Sequence, residues 1–155
     1  MKKDIHSITI SVFEKNQEKI DTIKNTISWF LPLDFEKEKI TYIHDQVPGL
    51  QDSPTHIIRV ILTKHKHTKI LLQQLFSQLA IKERELLYLQ RESRLSNEGI
   101  FYVRLDKQSL INHTCLLTDG GDCFHLKIKL AAYPATVPNF LQTLDHILIE
   151  YNCIP

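Results

Sequence analysis

The segment Thr63-Lys64-His65-Lys66-His67-Thr68-Lys69 places three ammonium groups and two imidazoles where an apolar helical repeat begins. Leu71, Leu72, Leu75, Phe76 and Leu79 recur at helical spacing and predict a helix over Lys69 to Ala80. Cations at a helix N-terminus oppose the macrodipole by about 0.3–1 kcal/mol each. Anion binding offsets such a penalty, because free backbone N–H groups at a helix start hold phosphate. The plain alternative is that the lysines point into solvent, where salt screening makes the penalty small. The segment belongs to a wider window. From Ser53 to Lys82 there is no Asp or Glu, but there are Arg59, Lys64, Lys66, Lys69, Lys82, His56, His65 and His67. The formal net charge of the 155 residues is only +1, and acids gather elsewhere, at Asp34, Glu36 and Glu38. Bulk charge therefore does not make this chain a polyanion binder, whereas its asymmetry implies one positive face on a near-neutral body.

The elements that must position this chemistry follow from periodicity. His6 to Phe13, Glu38 to His44, Ile57 to Thr63, Ile100 to Asp106 and Cys123 to Ala131 alternate and read as strands. A helix carries Ile20, Ile23, Ile27, Phe30 and Leu31 on one stripe and ends at Pro32. Others are expected over Lys82 to about Arg94 and Pro138 to Tyr151, with a helical turn over Lys107 to Asn112. Pro48 to Pro54 reads as a loop. Asp119-Gly120-Gly121-Asp122 reads as a tight turn, with Gly for positive φ and Asp for local hydrogen bonds. No repeat or linker interrupts the chain, so residues 1–155 are expected to form one domain. Strands with one apolar side imply a two-layer α+β sandwich, a mostly antiparallel sheet with helices packed on one face.

On the other face, alternation leaves Thr9, Ser11, Phe13, Arg59, Thr63, Tyr102, Arg104, His125, Lys127 and Lys129. Basic groups suit phosphates, and aromatics offer stacking surfaces for unpaired bases. A solvated sheet face would carry polar residues too, so this set weighs evenly between the two readings.

Other constellations are weaker. His65-x-His67 has no Cys or carboxylate close by in sequence to complete a metal site. Asp106, Asp119 and Asp122 could be arranged as a metal-dependent nuclease cluster, but turn chemistry explains the last two. Neither a nucleophile motif nor a glycine-rich phosphate loop is present. Cys115, Cys123 and Cys153 are odd in number and form no C-x-x-C pair, which fits free thiols in a reducing compartment. The apolar runs are too short to span a bilayer and no leader-like stretch follows Met1-Lys2-Lys3, so a cytoplasmic, cofactor-free protein without membrane contact is expected.

Four stretches carry a family resemblance. They are Leu62 to His67, Phe101-Tyr102-Val103-Arg104-Leu105-Asp106-Lys107-Gln108, the run from Leu117 through Thr118-Asp119-Gly120-Gly121-Asp122 to Ile128, and Ala132-Tyr133-Pro134-Ala135. Together they resemble an archaeal RNA-binding family described as a predicted exosome subunit, and the likeness runs from about His6 to the C-terminal helix. It implies a fold like that of the ribosomal protein that binds 5S rRNA, related to double-stranded-RNA-binding domains. It also implies an RNA ligand, structured or double-stranded, no known catalytic activity, and an association with the exosome or other RNA-processing proteins. The chain departs from the family in Ser109-Leu110-Ile111-Asn112-His113 and in its histidine-rich helix start.

The reading is thus an RNA-binding protein that is not an enzyme. Lys64, Lys66 and Lys69 would contact phosphates. Arg59, Arg104, Lys107, Lys127 and Lys129 would extend the positive surface, and Tyr102 or His125 would stack or hydrogen-bond. Two other readings stand beside it. One is a metal-dependent nuclease or phosphohydrolase using Asp106, Asp119, Asp122 and His125. The other is an adaptor of an RNA-processing complex, hinted at by Ile61 on the outward face.

Overall fold

Alternating side chains build five strands: β1 (Ile5–Glu14), β2 (Ile43–Val47), β3 (Thr55–Leu62), β4 (Ile100–Asp106) and β5 (Cys123–Leu130). They come from a computed structural model that describes residues 4–49 and 53–155. The strands form one sheet in the order β2-β3-β1-β5-β4, and every neighbouring pair is antiparallel. Ile8, Ile10 and Val12 of β1 point to the same side as Ile58 and Val60 of β3, Phe124 and Leu126 of β5, and Phe101 and Val103 of β4, and all of these are buried. Period-two alternation then forces the intervening residues onto the opposite face.

The apolar side is covered by helices. α1 (Ile20–Phe30) contributes Ile23, Ile27 and Phe30, α2 (His65–Gln78) Leu71 and Leu75, and α5 (Val137–Glu150) Leu144 and Leu148, all nearly inaccessible. α2 lies against β1 and α5 against β5. The result is the expected two-layer α+β sandwich. α3 (Ile81–Leu89) and α4 (Lys107–Ile111) flank β4. Asp106 caps α4 by accepting from the Ser109 amide, and α5 begins with Pro138 in its first turn.

The outer edge of β4 is not left open. Arg94 and Tyr102 exchange backbone contact through the Tyr102 N–H and the Arg94 carbonyl, and the Asp106 and Thr118 amides pair with Leu116 and Arg104 carbonyls. Two short segments thus cover an edge that would otherwise template aggregation. At the turn into β4, Gly99 has φ +84°, and a Cβ there would meet the Phe140 ring at 2.5 Å. Only glycine fits both the backbone and the packing.

Several expectations change. The second strand is not Glu38 to His44 but β2, Ile43–Val47. Phe35 to Lys39 instead closes a turn, with the Ile40 amide on the Phe35 carbonyl and Lys39 at φ +59°. The alternation across Glu38 to Tyr42 was a by-product of Ile40 and Tyr42 packing inward from that turn and its exit. α2 begins at His65 rather than Lys69, so the basic segment lies inside the first helical turns, and α3 ends at Leu89 rather than near Arg94. Neither Gly120 nor Gly121 has φ in the left-handed region, and a Cβ on Gly121 would meet only open space. The expected positive-φ role for that glycine pair is therefore overturned. The loop expected over Pro48 to Pro54 falls partly on residues 50–52, and the leader reading rested on residues 1–3, all outside the described residues.

The three cysteines are buried free thiols. Burial pushes Cys115 up to about 12 and Cys153 to about 11, which removes thiolate reactivity at neutral pH. Among the described residues no helix is long and apolar enough to cross a membrane.

Candidate nucleic-acid interface

Antiparallel register fixes which side chains meet on the uncovered face. Arg59 pairs with Ser11, Ser11 with His125, and His125 with Arg104, making one row across four strands. The next row runs Ile61, Thr9, Lys127, Tyr102, and the third places Ser7 beside Lys129 and Lys129 beside Ile100. The face divides along β1. The β5–β4 half carries Lys127, Lys129, Arg104, Tyr102 and His125. The β2–β3 half, with the tip of β1, carries Ile57, Ile61 and Phe13 around a single cation, Arg59.

The basic half is not internally neutralised. Among the described residues Lys127, Lys129 and Arg104 have no carboxylate within ion-pairing distance. Arg104 donates through Nη1 to the Asp119 carbonyl oxygen at 3.2 Å, which aims the guanidinium while leaving other donors unused. The Tyr102 and His125 rings stack, with centroids 5.5 Å apart and planes at 18°. Burial, then the charges of Arg104 and Lys127, push the His125 imidazole below its usual range. At neutral pH it is an uncharged ring, and its Nε2 is buried without a hydrogen-bond partner. Arg59 is different, because Asp45 holds its Nη2 at 2.7 Å.

The α2 start is only partly available. Lys64 is the N-cap residue and makes no side-chain cap. Lys64 and Lys69 are exposed, with no ion pair among the described residues. Lys66 is bonded to Glu38, which holds that carboxylate below its usual range, and Glu38 Oε2 also lies 3.8 Å from Nε2 of the buried His67. The Glu38 turn thus reaches over to pair with one of the three lysines of this segment. β3 leaves the sheet at Leu62, opposite Ile8 and hence one residue from the Ser7–Lys129 row. Strand spacing of about 4.8 Å puts the α2 start and Lys129 at one end of the sheet, roughly two strands apart.

Lys107 does not extend the surface. Its side chain is 9% accessible, and its ammonium donates to the Phe13 carbonyl at 2.6 Å and lies 2.7 Å from Asp122 Oδ1 and 3.5 Å from Glu14 Oε1. Two of the three carboxylates imagined as a metal cluster already have partners. Asp106 accepts from both the amide and the hydroxyl of Ser109, and Asp122 pairs with Lys107. No group of three or more His, Cys, Asp or Glu among the described residues could hold a metal.

Alternation could not have found Arg94. It lies in the irregular stretch after α3, where its guanidinium bonds Gln90 Oε1 through both Nε and Nη2. With Tyr102 and Arg104 it lines an open cleft of about 350 Å³ at the β4 edge.

These features define a small α+β protein whose sheet keeps one face uncovered and half basic. A family model described as RNA binding matches residues 7–130, and the chain belongs to that RNA-binding family. RNA-binding protein PAB1135 of Pyrococcus abyssi is 22% identical over 133 residues, covering 86% of each chain. The uncharacterized protein MJ0213 of Methanocaldococcus jannaschii is 27% identical over 119 residues, 76% of this chain and 79% of that one. The fold matches the crystal structure of protein AF2318 from Archaeglobus fulgidus with a TM-score of 0.80 at 22% identity, over 92% of this chain and 99% of that one. It also matches Mth689, a DUF54 protein from Methanothermobacter thermautotrophicus, with a TM-score of 0.71 at 22% identity, over 94% and 98%.

Proposed function

We propose that the protein binds structured RNA on the β5–β4 half of its open sheet face and at the start of α2, without catalysing a reaction on it. The observation that carries this reading is the run of cations Lys127, Lys129 and Arg104, which have no carboxylate partner among the described residues, set around the Tyr102–His125 stack on a face that no described helix covers. Phosphates supply most sequence-independent affinity, and Lys64 and Lys69 at the same end of the sheet as Lys129 would continue the track. Arg59 and Lys66 already have carboxylate partners and would contribute less, and Lys107 would serve the fold. The family resemblance adds the exosome or another RNA-processing assembly as the setting, and the short apolar runs of the sequence favour the cytoplasm.

Filter binding of a hairpin RNA across a salt series tests the reading. Log affinity should fall linearly with log salt, with a slope close to the number of phosphates contacted. Reversing Lys64, Lys127 and Lys129 to Glu should abolish binding while the thermal transition survives. An absence of binding at about 50 mM salt overturns the proposal.

The Phe13, Ile57 and Ile61 cluster supports a second reading, an adaptor that docks on a protein partner. Phe13 and Ile61 are half exposed, on the side of the face away from the basic half.

A further inference from the structure

We propose that the cleft at the β4 edge is a pocket for one unpaired nucleotide of the bound RNA, with its phosphate on Arg94 and Arg104 and its base against Tyr102. The inference rests on the RNA-binding reading and deepens it by naming a second mode of contact at one end of the basic face.

Three observations converge on it. First, two guanidinium groups line one cleft, and among the described residues neither has a carboxylate within ion-pairing distance. Their acceptors are neutral: Gln90 Oε1 and the Tyr102 carbonyl for Arg94, and the Asp119 carbonyl for Arg104. Each guanidinium carries five N–H donors, so both keep donors to spare in orientations fixed by those bonds. Asp119 is the one acid in the lining, which leaves a net positive charge. Second, Tyr102 belongs to the same lining and backs onto His125, so its ring is already held for stacking. Unpaired bases are read in this way, on aromatic rings and guanidinium planes. Third, about 350 Å³ lies within the range of small-ligand sites, roughly 300–1,000 Å³. Burial is the main cause that pushes Arg94 below its usual range; Asp119 opposes the shift, Arg104 adds to it and Glu83 opposes it.

Two other clefts are poorer candidates for a nucleotide. The one beside Tyr133 is lined by Asp4 and Asp145, and the one beside His65 and Lys69 by Asp4 and Glu150.

The test compares two RNAs and three small probes on the intact protein. The RNAs are a fully paired hairpin and the same hairpin with a single-nucleotide bulge. The probes are adenosine 5′-monophosphate, adenosine and inorganic phosphate, followed by amide chemical shifts. The monophosphate should shift amides of Arg94, Tyr102, Arg104 and Thr118, and bind tighter than either fragment. The bulged hairpin should bind about tenfold tighter than the paired one. Arg104→Gln and Tyr102→Leu should erase that preference while affinity for the paired hairpin falls less, and Arg94→Lys, which keeps the charge but loses the planar fork, should weaken it. Equal affinity for the two hairpins, or shifts outside the cleft, would overturn the pocket and leave the RNA-binding reading standing. Inorganic phosphate binding as tightly as the nucleotide would reduce the cleft to an anion site and overturn it too. If neither hairpin binds, both proposals fall together.

Discussion

Tyr102 and His125 are diagonal neighbours across the β4–β5 pair, and their rings lie 5.5 Å apart at 18°. The stack sits between Lys127 and Arg104 and is the flat centre of the basic half of the sheet. Replacing Tyr102 by Leu keeps an apolar side chain and loses the aromatic face. It should leave the thermal midpoint within a few degrees while weakening binding to unpaired RNA by about 1–3 kcal/mol. Equal affinities in a filter assay would show that the stack plays no part.

Lys127 and Lys129 point outward without an ion-pair partner among the described residues, so each Lys→Ala change should lower affinity for every RNA alike and reduce the salt slope by about one. The same change at Lys66 should alter the slope less, because Glu38 already holds that ammonium. Stability should change little, as expected for an exposed pair. A larger slope change at Lys66 than at Lys129 would contradict this assignment.

His125 makes stability depend on pH. Its folded pKa lies below the usual value of about 6.5, so between the two values the unfolded chain binds more protons and stability rises with pH. The contribution is complete above about pH 6.5 and is lost as pH falls through the folded value. His44 is shifted in the same direction, first by burial. His125→Gln should therefore flatten, but not remove, the dependence of the melting temperature on pH between about 5 and 7. An unchanged slope would count against it.

Lys107 should behave as a residue of the fold. Lys107→Ala leaves the Phe13 carbonyl and the Glu14 carboxylate without their donor, at a cost of about 1–3 kcal/mol in chemical denaturation. RNA affinity measured well below the transition should be close to that of the original protein.

Gly99→Ala should be among the most damaging small changes. It forces an alanine to φ +84° and drives its Cβ into the Phe140 ring, so a loss of about 2 kcal/mol or more is expected. Pairing it with Phe140→Leu should recover part of that loss, and no recovery would locate the strain elsewhere.

The sequence by itself determined the fold class and the composition of the two sheet faces. Strict alternation in β1, β3, β4 and β5 allows only one buried side, so Arg104, Lys127 and Lys129 had to emerge together on the other. It also located the unusual basic run at the start of α2. What it could not supply was pairing between distant residues. Glu38 is 28 positions from Lys66, and Phe13 is 94 from Lys107, so the internal partners of these two lysines became visible only in the folded chain. Arg94 was missed because the helix expected over Lys82 to about Arg94 took it in, whereas α3 ends at Leu89 and leaves it in an irregular segment. Tertiary structure alone brought it to the edge of β4 and placed it beside Arg104. Local spacing settles which way a strand residue points. Whether a charge stays free depends on what the rest of the chain brings to within a few ångströms of it.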